Sequence, residues 1–101
     1  MTDVQHVVLV EWADGAPNDE AAALVDRHLT RIDGVRSIDR GPSVSPEGLE
    51  GGFDWMLCVR FESAAARDAY LPHPEHAPVA AFIGDRSARV VVFDVDGGPQ
   101  G

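Results

Sequence analysis

Gln5-His6-Val7-Val8-Leu9-Val10-Glu11-Trp12, QHVVLVEW, is the stretch on which the fold turns. Its β-branched and apolar residues run up to Ala13-Asp14-Gly15, a turn signal, so the run predicts a strand. Side chains alternate between the faces of a strand at period two, which puts His6, Val8, Val10 and Trp12 on one face and Val7, Leu9 and Glu11 on the other. Both faces carry apolar groups, so both need apolar cover.

The same reading applies further along. Phe53 to Phe61, FDWMLCVRF, predicts a strand with Phe53, Trp55, Leu57, Val59 and Phe61 on one face and Met56 and Cys58 on the other. Ala88 to Val95, ARVVVFDV, predicts a final strand, and Asp96 to Gly101 a frayed tail. Val35 to Arg40 alternates, Val35, Ser37 and Asp39 opposite Arg36, Ile38 and Arg40, as a short strand near a sheet edge does.

Between these strands lie helical signals. Ala16-Pro17-Asn18-Asp19-Glu20 supplies a proline, a capping Asn and two acids ahead of AAALVDRHLTRI, with Ala21, Leu24, Val25, His28 and Ile32 on one stripe and Gly34 as terminator. Ser63 is placed to cap a helix of AAARDAYL, which ends before Pro72 because a residue preceding proline avoids helical angles. Pro74 and Pro78 then forbid one smooth helix, predicting a bend around His73 to Pro78 and a short helix through Ile83. Gly41 to Gly52 holds two prolines and four glycines in twelve residues and predicts a long connection.

The order is β-α-β-β-α-β with a broken second helix. That is the α+β, ferredoxin-like split βαβ arrangement, a four-stranded antiparallel sheet with helices on one face. The other face is left bare, yet the first, third and last strands are apolar there too. Packing it against a second copy is the economical solution, so the expected assembly is a homodimer whose two sheets form an α+β barrel.

Composition bounds the rest. The chain has 101 residues, enough for a single domain spanning 1–101 with a thin core. Eight basic residues, all Arg, stand against 17 acidic ones, a net charge of -9, which disfavours nucleic acid and anionic membrane as partners. Cys58 is the single cysteine, so no disulfide forms within one chain, and inside an apolar run it reads as a buried inert thiol. No apolar stretch approaches a membrane span and the N-terminus lacks a signal-peptide pattern, which makes the cytoplasm the expected location.

Three stretches resemble a known family. Ser45-Pro46-Glu47-Gly48-Leu49-Glu50-Gly51-Gly52-Phe53-Asp54, Tyr70-Leu71-Pro72-His73-Pro74-Glu75-His76 and the opening His6-Val7-Val8-Leu9 are similar to the stress-responsive dimeric α+β barrel (Dabb) proteins, over His6 to Val95. The most specific part is the Y-x-x-H-P-x-H string at the helix break. The resemblance implies the dimeric barrel that the strand order reaches independently. It also implies a range of activities, from stress-associated proteins to a polyketide cyclase that closes an aromatic ring without a cofactor. Carried over from that cyclase, His76 is the general base, Tyr70 positions the substrate carbonyl and His6 lines the pocket. Trp55 stands where the cyclase has a further histidine, so substrate and ring closure do not transfer with the fold.

The residue types fit such chemistry. An imidazole at position 76 can remove a proton from carbon, and the Tyr70 hydroxyl can donate to the enolate that forms. His6, Val8, Trp55, His73 and Phe82 complete the candidate ligand-binding set, Trp12, Trp55 and Phe82 as an aromatic wall for a flat molecule. Beside this stands a plainer reading, in which His73 and His76 cap the helix break and the aromatics are core. His73-x-x-His76 has metal-ligand spacing but no third ligand, so neither metal nor cofactor is expected. Two functions follow: a dimer that binds a small apolar, aromatic or polyketide-like ligand and performs cyclase or lyase chemistry, or a non-catalytic stress-response or ligand-binding dimer.

Overall fold

The computed structural model describes residues 2–97. Its elements run β1 (Val4–Trp12), α1 (Asn18–His28), a 3-10 turn (Leu29–Arg31), β2 (Val35–Pro42), β3 (Trp55–Phe61), α2 (Ala64–Tyr70), α3 (Ala77–Arg86) and β4 (Ser87–Asp96). The strands form one sheet in the order β2-β3-β1-β4, and each neighbouring pair is antiparallel. This is the ferredoxin-like α+β arrangement that the strand and helix order predicts.

Alternation decides where the core lies. Along β1 every second residue from Val4 to Trp12 is buried, and along β3 every second residue from Trp55 to Phe61. Val8, Val10 and Trp12 from β1, and all four from β3, meet Ala21 and Val25 of α1, Leu29 of the 3-10 turn, Tyr70 of α2, and Val79 and Ile83 of α3 in one hydrophobic cluster. Each large apolar side chain fully buried there contributes about 1.5–3 kcal/mol.

Several expectations are corrected by local physics. Asn18 does not cap α1: Pro17 occupies the cap position, and the Asn18 Oδ1 accepts the Trp12 indole N–H at 2.8 Å. A buried indole N–H left unpaired is costlier than an uncapped helix end that water can reach. The strict alternation of Val35 to Arg40 is broken by an irregularity in the ladder: Val35 pairs with Phe61 and Ser37 with Arg60, leaving Arg36 as the extra residue. The bulge lets both Val35 and Ile38 pack on the core. β3 starts at Trp55, not Phe53. Asp54 instead locks the strand entrance, its N–H donating to the Val10 carbonyl at 2.8 Å and its carboxylate accepting the Trp12 N–H at 2.9 Å.

The helix break is also shorter than expected. Ser63 does cap α2, its Oγ accepting the Ala66 N–H at 3.1 Å. The bend ends at His76, and Pro78 lies in the first turn of α3, where its missing N–H breaks no helical bond. That helix runs beyond Ile83 to Arg86. Asp96 is not tail but strand, paired with Val4, and the Gly97 N–H donates to the Asp3 carbonyl at 2.6 Å. The remainder of the expected tail, 98–101, lies outside the described residues. Gly34, at φ +89, passes so close to Ala66 that a Cβ would sit 2.7 Å from that side chain, so both backbone and packing require glycine.

The outer face of the sheet carries Val7, Leu9, Met56, Cys58, Val91 and Phe93, and among the described residues no helix lies over it. Cys58 is therefore half-buried in the single chain rather than buried in the core. Burial, with the Asp39 carboxylate adding and Arg60 opposing, pushes its thiol up, away from the reactive thiolate.

Candidate functional site

The helices cover β1 and β3 but stop short of β4. On β4 the residues that face the helices, Val90 and Val92, stay 39% and 55% exposed. A cavity of about 460 Å³ opens there. Its floor is His6 and Val8 of β1 with Val90, Val92 and Asp94 of β4; its walls are Tyr70, Leu71, His76 and the Val79, Ala80, Ile83 and Gly84 side of α3. The lining is mainly apolar with a few convergent polar groups, the usual make-up of a small-molecule site.

His76 sits at the head of α3, where the bend turns its ring toward the cavity. Its Nδ1 lies 2.9 Å from the Leu71 carbonyl. A carbonyl only accepts, so Nδ1 donates, and the lone pair of the neutral ring is on Nε2. The Tyr70 ring stacks at a tilt against it, centroids 4.4 Å apart. Burial pushes the Tyr70 phenol well above its ordinary range, so it remains a hydroxyl donor.

His6 is 5% exposed and is tied through Nδ1 to Asp94 Oδ1 at 2.6 Å. The other Asp94 oxygen accepts from Arg67 Nη1 at 2.7 Å. Burial is the largest influence on Asp94 and works to raise its pKa, but the hydrogen bonds and charges of Arg67 and His6 together outweigh it and hold the carboxylate below its usual range. Glu75 is also held low, chiefly by its bond to His28 at 2.8 Å.

Glu50 is held low as well, chiefly by the Ser43 hydroxyl, and these three carboxylates contribute to the acid behaviour. Their contribution to stability is fully present above the ordinary carboxylate range, about 4, and is lost as the pH falls below it through their lowered folded values. Urea midpoints measured from neutral pH down to about pH 3 should fall, and Asp94→Asn, less stable at neutrality, should converge on the wild type at the acid end. Parallel curves across that range would contradict the assignment.

Four of the seven candidate residues, His6, Val8, Tyr70 and His76, line this cavity; the other three lie elsewhere. His73 supports the bend, its Nδ1 accepting the Glu75 N–H at 3.0 Å and its carbonyl accepting the His76 N–H at 2.9 Å. With Nδ1 of one ring taken by a backbone donor and Nδ1 of the other by a backbone acceptor, the His73–His76 pair serves the helix break. Trp55 packs on Trp12 at 5.9 Å and Phe82 on Trp12 at 6.1 Å, so the expected aromatic wall is a core cluster. Trp55 also borders a separate depression of about 470 Å³ under the 43–53 loop, beside Leu9, Met56 and Phe53. In that loop Glu50 accepts from the Ser43 hydroxyl, and Arg89 bonds the Gly51 carbonyl at 2.6 Å and lies over the Phe53 ring at 4.1 Å. Asp94 and Arg67 were missed. The signal for Asp94 was one acid inside RVVVFDV, but only strand pairing sets it opposite His6.

The profile of the stress responsive A/B barrel domain, Dabb, matches residues 4–96. A dimeric ferredoxin-like protein of unknown function from Jannaschia sp. CCS1 is 23% identical, with 93% of this chain and 98% of that one covered and a TM-score of 0.82. An Arabidopsis thaliana protein is 26% identical, with coverage of 94% and 95% and a TM-score of 0.79. The hydroxynitrile lyase from Passiflora edulis is 16% identical, with coverage of 97% and 95% and a TM-score of 0.83, a likeness of fold alone. No curated protein matches the sequence. Among the described residues, no helix is long and apolar enough to cross a membrane.

Proposed function

Because the chain belongs to the stress-responsive α/β-barrel (Dabb) family, its profile spanning residues 4–96, we propose that it is a homodimer that takes a small apolar, aromatic or polyketide-like molecule into the His76 cavity. There it performs cofactor-free proton transfer of the cyclase or lyase kind. His76 acts as general base and Tyr70 donates its hydroxyl to the oxygen on which charge develops.

The observation that carries this reading is the bond from His76 Nδ1 to the Leu71 carbonyl. It costs the ring nothing as a base, because the tautomer it selects leaves Nε2 free to take a proton. Tyr70, kept protonated by burial, supplies the complementary donor. A ligand seated against the apolar walls displaces water from around both groups and so strengthens both interactions.

Two probes test the site. 4-Nitrophenol, flat and mildly acidic, should bind saturably, and Ala80→Trp, which fills the cavity, should abolish binding. Mandelonitrile tests proton transfer: His76 removes the hydroxyl proton, the carbon–cyanide bond breaks with its electron pair leaving on cyanide, the cyanide takes the proton back from His76 as hydrogen cyanide, and benzaldehyde is released. Faster cleavage than in buffer supports the catalytic reading. Binding with neither this cleavage nor deprotonation of any carbon acid leaves a ligand-binding protein, and no binding at all removes the cavity as a ligand site.

The homodimer is supported by the uncovered outer face, where Val91, Phe93 and Val95 are 40%, 67% and 47% exposed, and by the dimeric state of the Jannaschia relative. A contiguous apolar sheet face of this kind is stable in water when a second surface covers it. Under two-fold symmetry a change at the interface occurs twice. Phe93→Asp should therefore weaken dimerisation by about 10²-fold or more, from two lost Phe burials of about 1.5–3 kcal/mol each. Light scattering across a dilution series reads this directly. A variant that dimerises as tightly as the wild type would move the interface off this face.

A further inference from the structure

The helix break that carries His76 is shaped by short-range bonds. The His73 N–H donates to the Tyr70 carbonyl at 3.0 Å, the His76 N–H to the His73 carbonyl at 2.9 Å, and the His73 ring accepts the Glu75 N–H at 3.0 Å. Pro72 and Pro74 bring no N–H of their own. Bonds that span two or three residues fix the curvature of the bend, but not where it sits against the rest of the molecule. A bond of another kind reaches across. The Glu75 carboxylate accepts from His28 Nδ1 at 2.8 Å, a partner 47 residues away at the last position of α1. That end of α1 is firmly seated: Val25 and Leu29, on either side of His28, are both 0% exposed, and Arg40 of β2 holds the Asp26 carboxylate at 2.6 Å.

We propose that His28 and Glu75 are positioning residues for His76, a clasp between α1 and the helix break that sets where the imidazole stands over the cavity. The inference rests on the reading of His76 as the base and adds what holds it from outside the cavity, since neither residue of the clasp lines that space. A carboxylate only accepts, so His28 Nδ1 is the donor in either charge state of the ring. Glu75 is held low chiefly by this bond, with burial opposing and the charges of Arg31, His28 and His73 adding to it. The C-terminal end of a helix attracts cations and repels a carboxylate, so it is His28, and not the helix dipole, that keeps Glu75 at α1. The two side chains are 22% and 31% exposed, and an ion pair so placed adds little to the stability of the fold. Its position in the chain gives it another consequence, because Glu75 is joined directly to His76. From the α2 side the imidazole is held by the Leu71 carbonyl at 2.9 Å and the Tyr70 ring at 4.4 Å. From the α1 side it is held by the clasp. With both in place Nε2 keeps one direction, and with the clasp open the bend pivots on its α2 end. A general base acts only within hydrogen-bond reach of its proton, and a misplacement of about 1 Å costs about 10²-fold in rate.

In the full chain, Glu75→Ala and His28→Ala should each lower kcat for mandelonitrile cleavage by about 10- to 10²-fold while KM and the affinity for 4-nitrophenol stay as in the wild type. The double variant should be no slower than either single one, because the pair acts as a unit. His28→Asn, whose amide N–H can take the place of Nδ1, should restore most of the loss. Urea midpoints should match the wild type throughout. Long-range ¹H–¹⁵N correlation spectra of the chain labelled at histidine read the position of the ring without any substrate: the His76 signals should move in both alanine variants and return toward the wild type in His28→Asn. A solvated surface bridge predicts that kcat and the His76 signals are unchanged in both alanine variants, and that result overturns the proposal. A kcat that falls while the His76 signals stay in place overturns it as well. If the wild type itself turns over no carbon acid, the reading of His76 as a base falls by itself. The ring signals then decide alone whether the clasp positions that residue, and unmoved signals overturn it.

Discussion

His76→Asn is expected to lower the rate of mandelonitrile cleavage, or of whichever carbon acid the cavity accepts, by about 10²–10⁴-fold, the usual contribution of a positioned general base. Asparagine is the informative replacement. Its amide N–H can occupy the place of Nδ1 and keep the bond to the Leu71 carbonyl, while nothing stands in for the basic Nε2. The bend therefore keeps its support, because the His76 backbone bonds to the His73 carbonyl and from the Ala80 N–H do not involve the side chain. Circular dichroism and the urea midpoint should match the wild type, and 4-nitrophenol should still bind. Turnover unchanged by this substitution would remove His76 as the base. Turnover lost together with the fold would mean that the ring's role is to hold the bend.

Phe61→Ala should cost about 3–5 kcal/mol, out of the roughly 5–15 kcal/mol that holds a domain of this size together. Phe61 is fully buried at the end of β3 and packs edge-on against Tyr70 at 4.8 Å and near His6 at 6.1 Å. Its removal leaves a void under both residues, in a core too thin to close over it. The urea midpoint reads the loss, and the cavity should loosen with it, since Tyr70 and His6 lose the ring that backs them. Phe93→Ala makes the same chemical change on the outer face, where the ring is 67% exposed, and should leave the stability of the single chain nearly unaltered. The comparison is made at a protein concentration low enough for light scattering to show monomer, and similar losses for the two variants there would place Phe93 in a folded core rather than at an interface.

The fold was legible because it rests on local patterns. Period-two burial in QHVVLVEW and the β3 run, a serine at the start of α2 and prolines around the bend each act within a few residues, and each has one structural outcome. Where the reading failed, a more distant partner had outbid the local preference. Asn18 looked like a cap, but the indole N–H of Trp12 lay within reach. Val35 to Arg40 looked like a plain alternating strand, but pairing with β3 absorbed an extra residue and turned both Val35 and Ile38 inward. Asp96 looked like tail, but Val4 was there to pair with it.

The candidate site divides along the same line. Tyr70 and His76 lie in one short string, so their proximity follows from the bend between them. Trp55 and Phe82 were grouped as a ligand wall because aromatic residues suit both a core and a pocket, and sequence spacing does not distinguish the two; the packing on Trp12 makes them core. Asp94 lies 88 residues from His6 and is brought to it only by the β1–β4 register.

By itself, then, the sequence determined the element order, the two apolar faces of the sheet and the broken helix with its histidines, because dihedral preference and hydrophobic periodicity are properties of neighbouring residues. The tertiary structure alone decided that the helices stop short of β4, that a cavity of about 460 Å³ opens there, and that His6 meets Asp94, itself held by Arg67, at its floor. Those outcomes depend on which strands pair and at what register, and register is a property of the whole sheet, set when every strand satisfies its hydrogen bonds and buries its inner face at once.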